Sequence, residues 1–227
     1  MKITWLGQAG LLFERDGFSV MIDPYLSDYV AKVEPKNVRR VPVDERFFDV
    51  DPDVMIFTHD HIDHYDPETA PVFFKKSNKA MSVLGPISVR KKALGDVCGQ
   101  NCILFNRHTS VSLGGFVFTA VKAEHSDPDA VGVVIEDTVE GKTYYVAGDT
   151  LYNSDIFADL PNNIDVAFLP INGVGNNMNM TDAARFAKKS GAKTVVPLHF
   201  GLFDALDPTK FECENKVIPE IYKEIKL

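Results

Sequence analysis

The sequence predicts an α/β (α+β) fold in which two mixed β-sheets pack face to face with helices on their outer faces. Three observations carry this. Two β-rich blocks, one in the first quarter of the chain and one at residues 110–147, are each followed by alternating helix and strand patterns. No low-complexity linker and no repeat of solenoid period separates them, so residues 1–227 read as a single domain, long enough to bury one substantial core. The residues with the most chemical capacity stand where strand patterns end, at the rim of a sheet.

Residues 2–6, 11–14 and 19–22 alternate as strands, with Arg15-Asp16-Gly17 as a hairpin turn and Asp23-Pro24 closing the meander. Residues 25–51 are irregular and carry the basic cluster Lys36, Arg39 and Arg40. A connection this long is either a functional loop or lid, or a solvated excursion. Residues 54–57 form a strand and 67–76 a helix, opened by Asp66 as N-cap with Pro67 in its first turn. A strand at 81–84, a helix at 87–94 and a strand at 102–105 complete this half. Strands at 110–113, 116–123, 131–136 and 143–147 follow, separated by turns at Gly114-Gly115 and Glu140-Gly141-Lys142. The chain then alternates through helix 154–160, strand 166–169, helix 181–190, strand 194–197 and a C-terminal helix.

Hydrophobic content of 45% with 25% charged residues is that of an ordinary globular protein, and the net charge is −8. That sign argues against nucleic acid or an anionic membrane as partner, but leaves room for a small-molecule substrate, even an anionic one, beside a metal ion. The run from Met1 to Gly7 enters a strand pattern directly rather than a signal peptide, and no apolar stretch reaches spanning length. Cys98, Cys102 and Cys213 lack disulfide-framework spacing. Cys98-x-x-x-Cys102 is a metal pair in principle, but no second Cys/His pair follows at zinc-finger spacing. Reduced thiols, and with them a cytoplasmic location, are the better reading. Composition is compatible with a homo-oligomer without specifying one.

The run Thr58-His59-Asp60-His61-Ile62-Asp63-His64 places three histidines and two aspartates directly after the apolar stretch 54–57. At this chain's own His and Asp frequencies, H-x-H-x-D-H arises by chance a few times in about ten thousand such sequences. Neutral imidazole with carboxylate suits Zn²⁺, Mn²⁺ or Fe²⁺; the competing reading is a solvated polar loop. Of the six histidines, His125 and His199 also follow strand patterns, as does Asp149. A lone histidine at a strand end is more often a structural hydrogen-bonder than a ligand, but strand ends along one edge of a sandwich converge on a common cleft. His108 fits no such slot.

These residues, in this order, resemble the metallo-β-lactamase superfamily: Ile22-Asp23-Pro24, H-x-H-x-D-H at 59–64, His125, Gly148-Asp149-Thr150 and His199. The resemblance implies a four-layer αβ/βα sandwich with a site for two divalent metal ions, Zn²⁺ or Mn²⁺ with Fe²⁺ as a third choice. One ion would take His59, His61 and His125, the other Asp63, His64 and His199. Asp149 would bridge them, and Asp23 would hold ligand orientation from behind. Two cations about 3.5–4 Å apart can share a hydroxide that persists at neutral pH, which makes metal-assisted hydrolysis the reaction class. Asp63 and Asp149 are the expected catalytic carboxylates, and there is no G-x-S-x-G elbow for a serine nucleophile.

Three stretches are similar to the L-ascorbate-6-phosphate lactonase branch: residues 5–10, residues 23–27, and residues 169–180 with their Asn-Met segment. Residues 197–203 share the similarity. It implies opening of a lactone or a small, phosphorylated or plain, ester-like metabolite. Asn172, Asn176, Asn177 and Arg107 are candidate substrate contacts, with Arg39 and Arg40 as further candidates for a phosphate. Competing readings are a metal-dependent phosphodiesterase or nuclease and a non-catalytic metal-binding module. A flavo-diiron protein would need a fused flavin domain.

Overall fold

The computed structural model describes residues 1–227 except Asn78, Leu94, Asp96 and Cys98. The cysteine pair at 98 and 102 and the last residue of the predicted helix at 87–94 therefore lie partly outside the described residues. One sheet runs in the order β1 (Lys2–Gly7), β2 (Gly10–Arg15), β3 (Phe18–Ile22), β4 (Val54–Ile56), β5 (Ser82–Gly85), β6 (Asn101–Leu104). Its first three strands pair antiparallel, and β3 to β6 pair parallel. The second sheet runs β7 (Ser110–Leu113), β8 (Phe116–Lys122), β9 (Val131–Asp137), β10 (Lys142–Val146), β11 (Val166–Pro170), β12 (Thr194–Leu198). It begins antiparallel and turns parallel at β10.

The period-2 patterning explains the layers. Ile3, Trp5, Phe13, Val20 and Ile56 of the first sheet share one buried core with Phe118, Val133, Tyr144 and Phe168 of the second. Their neighbours Leu12, Met21, Met55 and Val83 point the other way, under α2 (Ala70–Lys76) and α3 (Ile87–Ala93), through Phe73, Phe74 and Val89. On the far side, α4 (Met180–Ser190) lays Ala183, Phe186 and Ala187 onto the second sheet, with Phe186 stacked on Tyr145. Asn179 caps its first turn and Gly191, in the left-handed region, ends it. The result is two sheets between two helical layers. Phe13 meets Tyr144 and Phe168 edge-on across the interface, at 5.7 and 5.9 Å. Phe13→Ala should therefore cost about 3–5 kcal/mol in urea unfolding, the range for an aromatic removed from a packed core.

At the end of the sandwich away from the strand C-termini of β3 and β10, Arg15 of β2 pairs with the buried Asp137 of β9 and lies 4.1 Å over the Phe116 ring. Burial pushes the Asp137 carboxyl up, but the backbone N–H groups of Glu140 and Val139, together with Arg15, outweigh it and hold it below the usual carboxylate range. Its folded value thus lies below its unfolded one. The stability it contributes is full above about pH 4 and is lost as pH falls through the folded value. Asp137→Asn should lower stability at neutral pH and flatten the acid limb of a stability–pH curve.

The structure departs from the sequence pattern in several places. No C-terminal helix forms. Residues 217–227 instead run irregularly along β1, with Tyr222 and Ile225 donating backbone N–H to Trp5 and Ile3. Pro219 interrupts the helix, and the unpaired edge of β1 offers the segment its hydrogen bonds. The predicted helix 154–160 is a single 3-10 turn, Ser154–Ala158, capped by Asn153. The loop 25–51 contains a short helix, α1 (Tyr29–Val33), and a 3-10 turn, Glu45–Asp49. Arg39 is spent inside it, donating to the backbone oxygens of Tyr25, Ser27 and Val41 and to the Tyr222 hydroxyl. Pro197 within β12 is tolerated because β12 is an edge strand. No described helix is long and apolar enough to cross a membrane.

Candidate metal centre

Within the first sheet β3 and β4 are parallel, and within the second β8, β10 and β12 all point the same way. Their C-terminal ends therefore share one rim, and each carries a residue of interest just beyond: Asp23, the 58–64 run, His125, Asp149 and His199. Two backbone bonds clasp the rim there, Val131 N–H to Thr58 O and His199 N–H to Gln8 O. Asp23 and His199 both sit at positive φ, 44° and 60°, turning the chain sharply at the strand end. Before Asp149 the same turn is made by Gly148, where a Cβ would meet the Thr58 side chain at 2.9 Å.

The structure brings His59, His61 and His125 together, with ring centroids 4.6–4.8 Å apart. It also gathers Asp63, His64 and His199, whose ligand atoms lie within 4.8 Å of one another. Asp149 lies against this second group, its Oδ1 3.2 Å from His64 Nε2 and 3.3 Å from His199 Nε2.

Hydrogen bonds fix which ring atoms face inward. His64 Nδ1 is 2.8 Å from Asp23 Oδ2, and His59 Nδ1 is 3.0 Å from Thr58 Oγ1. Because Thr58 Oγ1 already donates to Asp23, it accepts from His59, which leaves Nε2 bare on both rings. His125 Nδ1 donates to the Asn176 carbonyl, and its Nε2 faces His61 Nδ1 at 3.1 Å. His59 Nε2, His64 Nε2 and Asp149 Oδ1 are buried with no hydrogen-bond partner. Three buried polar atoms without a hydrogen-bond partner in one place are costly to a fold unless a proton or a cation satisfies them. The donor set, five imidazoles with two carboxylates, fits divalent metal.

Asp23, His59 and His64 also form a geometric triad. Asp23 is excluded as a ligand by its own bonds: it accepts from Thr58 N–H, Thr58 Oγ1–H and His64 Nδ1. It sits behind the candidate ligands, bonded to His64 on the side away from Nε2.

Electrostatics divides the groups. Burial holds His59 and His125 below the ordinary imidazole range. Burial acts the same way on His64 and His199, but Asp149, with Asp23 and Asp63 for the first and Asp63 for the second, outweighs it. His64 is raised well above the ordinary value and His199 to about 10. Burial pushes Asp63 and Asp149 up, yet the facing His64 and His199 hold both carboxyls below the usual range. The carboxylates and the imidazoles facing them favour positive charge in this centre, which is what a divalent cation bound there would supply.

Of the expected substrate contacts, Asn172, Asn176 and Asn177 line a cleft of about 660 Å³ over these residues, with Gln8, His61, Asp63, Asp149 and His199. Their polar atoms largely meet the candidate ligands. Asn177 donates to Asp149 Oδ2 at 2.8 Å, the Asn176 carbonyl takes His125, and the Asn172 amide lies 3.0 Å from His199 Nδ1. Arg107 is elsewhere: its guanidinium forks onto Asp159 at 2.6 and 2.9 Å, and His108 joins the same carboxylate. Sequence reasoning missed Gln8 and Thr58. Gln8 is buried at φ 47° and donates to Asp63 Oδ2 at 3.0 Å. The signals for it were its place between Gly7 and Gly10, in a turn that a strand pattern alone does not explain, and its inclusion in the lactonase-like stretch 5–10.

A two-sheet sandwich whose strand ends gather histidine and aspartate on one rim defines a metal-binding class of protein. The family described as Beta-lactamase superfamily domain matches residues 19–200. A UPF0173 metal-dependent hydrolase of Geobacillus sp. (strain WCH70) is 33% identical over 237 residues, covering 93% of this chain and 91% of its own. The chain belongs to the beta-lactamase superfamily and to the UPF0173 metal-dependent hydrolases. Among solved structures it is similar to Igni18, a metallo hydrolase from Ignicoccus hospitalis, with a TM-score of 0.78 at 21% identity over 99% of this chain and 97% of that one. It is also similar to the metallo-beta-lactamase fold protein YhfI from Bacillus subtilis, with a TM-score of 0.72 at 20% identity over 99% of each chain.

Proposed function

We infer that this chain is a two-metal hydrolase that opens a lactone or cleaves a small ester-like metabolite in the cleft above the rim. The observation that carries the reading is the pair of ligand triads with the orphaned Asp149 Oδ1 against them. One ion would be held by His59, His61 and His125, and the other by Asp63, His64 and His199, with Asp149 shared. Zn²⁺ and Mn²⁺ are the first candidates and Fe²⁺ the third. Divalent cations bound there would supply a hydroxide at neutral pH and polarise the electrophilic oxygen.

The chain's own residues do the rest. Asp63 reaches the cleft with its Oδ2 held by Gln8, and it orients the attacking water and moves the proton toward the leaving oxygen. Asn177 holds Asp149 to one rotamer, since its Oδ1 is itself pinned by Thr150 N–H at 2.9 Å. A cleft of this volume suits a small molecule and not a polymer.

Purified protein loaded with Mn²⁺ or Zn²⁺ should open lactones. His61→Ala should reduce kcat/KM by roughly a thousandfold, because several kcal/mol of catalysis pass through the ion that it holds. Lactone opening unaffected by chelator or by that substitution would end the reading. Cleavage of bis-p-nitrophenyl phosphate far faster than any lactone would transfer the same site to a phosphodiesterase.

A further inference from the structure

The cleft has two unlike walls. One is the polar wall of ligands and asparagines. The other is apolar: Val30 of α1, Ile62 between His61 and Asp63, and Phe203, four residues beyond His199. These three belong to one cluster whose floor is the fully buried Tyr25 and Leu202, with Tyr25 and Phe203 edge to face at 5.7 Å. Three separate segments thus build one apolar surface directly beside the Asp63 and His199 ligands, and Ile62 and Phe203 remain partly open to the cleft. Ile62 stands inside the histidine motif itself, where a site for a hydrated or charged ligand has no use for a branched alkane.

The charges point the same way. Lys92 is the only Lys or Arg among the described residues lining the cleft, and it is engaged by Asp60, whose carbonyl accepts at 2.5 Å and whose carboxylate lies at 3.0 Å. Arg39 and Arg107 are spent elsewhere, while Glu34 and Asp204 add carboxylates to the lining. A phosphate or carboxylate on the substrate would meet mostly like charge and little to pair with.

We propose that Val30, Ile62 and Phe203 form an acyl-chain subsite, so that the substrate is an uncharged lactone or ester bearing an aliphatic chain and not a phosphorylated sugar acid. On this reading the connection 25–51 serves to deliver Val30 to the cleft. The subsite rests on the cleft being the hydrolase site proposed above, but it predicts binding as well as turnover.

The test is a series of γ-lactams with n-alkyl side chains from methyl to hexyl, titrated calorimetrically against the metal-loaded protein, with the matching γ-lactones and alkyl esters followed for cleavage. Each methylene laid on the wall should tighten lactam binding by about three- to fourfold, until the chain outgrows it. Phe203→Ser should cut that dependence by half or more. Val30→Ala, a smaller truncation that adds no polar group and thus a safeguard if the first variant folds poorly, should also reduce it. A series flat in chain length, or a phosphorylated or carboxylated analogue that binds tighter than its neutral alkyl counterpart, overturns the subsite. Lactams that show the slope while neither the lactones nor the matching alkyl esters are cleaved would sink the hydrolase reading alone. Lactones opened without the slope would sink the subsite alone.

Discussion

Asp149→Ala should remove hydrolysis almost completely, by roughly a thousandfold or more in kcat/KM, while the protein keeps its fold. The reason lies in the geometry of one carboxylate. Asp149 Oδ1 is buried without a hydrogen-bond partner and lies 3.2–3.3 Å from His64 Nε2 and His199 Nε2. Its other oxygen is held by Asn177. A carboxylate held so firmly at one end and left bare at the other is built to serve something in the centre. Circular dichroism of the variant should match the parent, since Asp149 bears no core packing. The loss should appear in kcat more than in KM, as befits an interaction made in the transition state. Asn177→Ala, which frees Asp149 without deleting it, should cost far less, about 10–100-fold.

The second large effect is expected at a residue set behind the candidate ligands. Asp23 is fully buried and accepts from Thr58 N–H at 2.8 Å, Thr58 Oγ1–H at 2.5 Å and His64 Nδ1 at 2.8 Å. Asp23→Ala strips acceptors from three buried donors at once. Each orphan costs about 1–3 kcal/mol, so a loss of roughly 3–5 kcal/mol in stability is expected, against a typical total of about 5–15 kcal/mol. Metal affinity should also fall by about 10–100-fold, because His64 loses the acceptor that fixes its tautomer and Thr58, the partner of His59, loses the acceptor that orients its hydroxyl. Asp23→Asn separates the two effects. Asparagine tolerates the left-handed backbone at φ 44° and can still accept from Thr58 N–H, so most stability should return. Its NH₂ group would oppose the His64 Nδ1 proton, so metal affinity should stay low. Equal recovery of both would refute the role given to Asp23.

The candidate ligands stand out in the sequence because histidine is rare there. Three of the six stand at 59–64, and His125, Asp149 and His199 follow strand patterns, a distribution that a merely solvated loop does not produce. The two sheets were legible because β-patterning decides which face is buried, and Phe13, Tyr144 and Phe168 obey it. What could not be read is whatever works by position and not by type. Gln8 and Thr58 are ordinary polar residues until the fold sets one on Asp63 and the other between Asp23 and His59. The apolar spacing near the C-terminus suggested a helix, but tertiary pairing with β1 overrode it. Arg107 suited a phosphate by chemistry alone. Only the structure shows Asp159 holding it outside the cleft.

The most direct measurement is the metal content of the purified, reconstituted chain by elemental analysis, taken beside Asp149→Ala and His61→Ala. A dinuclear centre predicts about two divalent ions per chain, with fewer retained in each variant as ligand atoms are lost. A chain that cannot be brought to even one ion, or variants that hold metal as the parent does, would show that these histidines and aspartates meet on one rim for some other purpose.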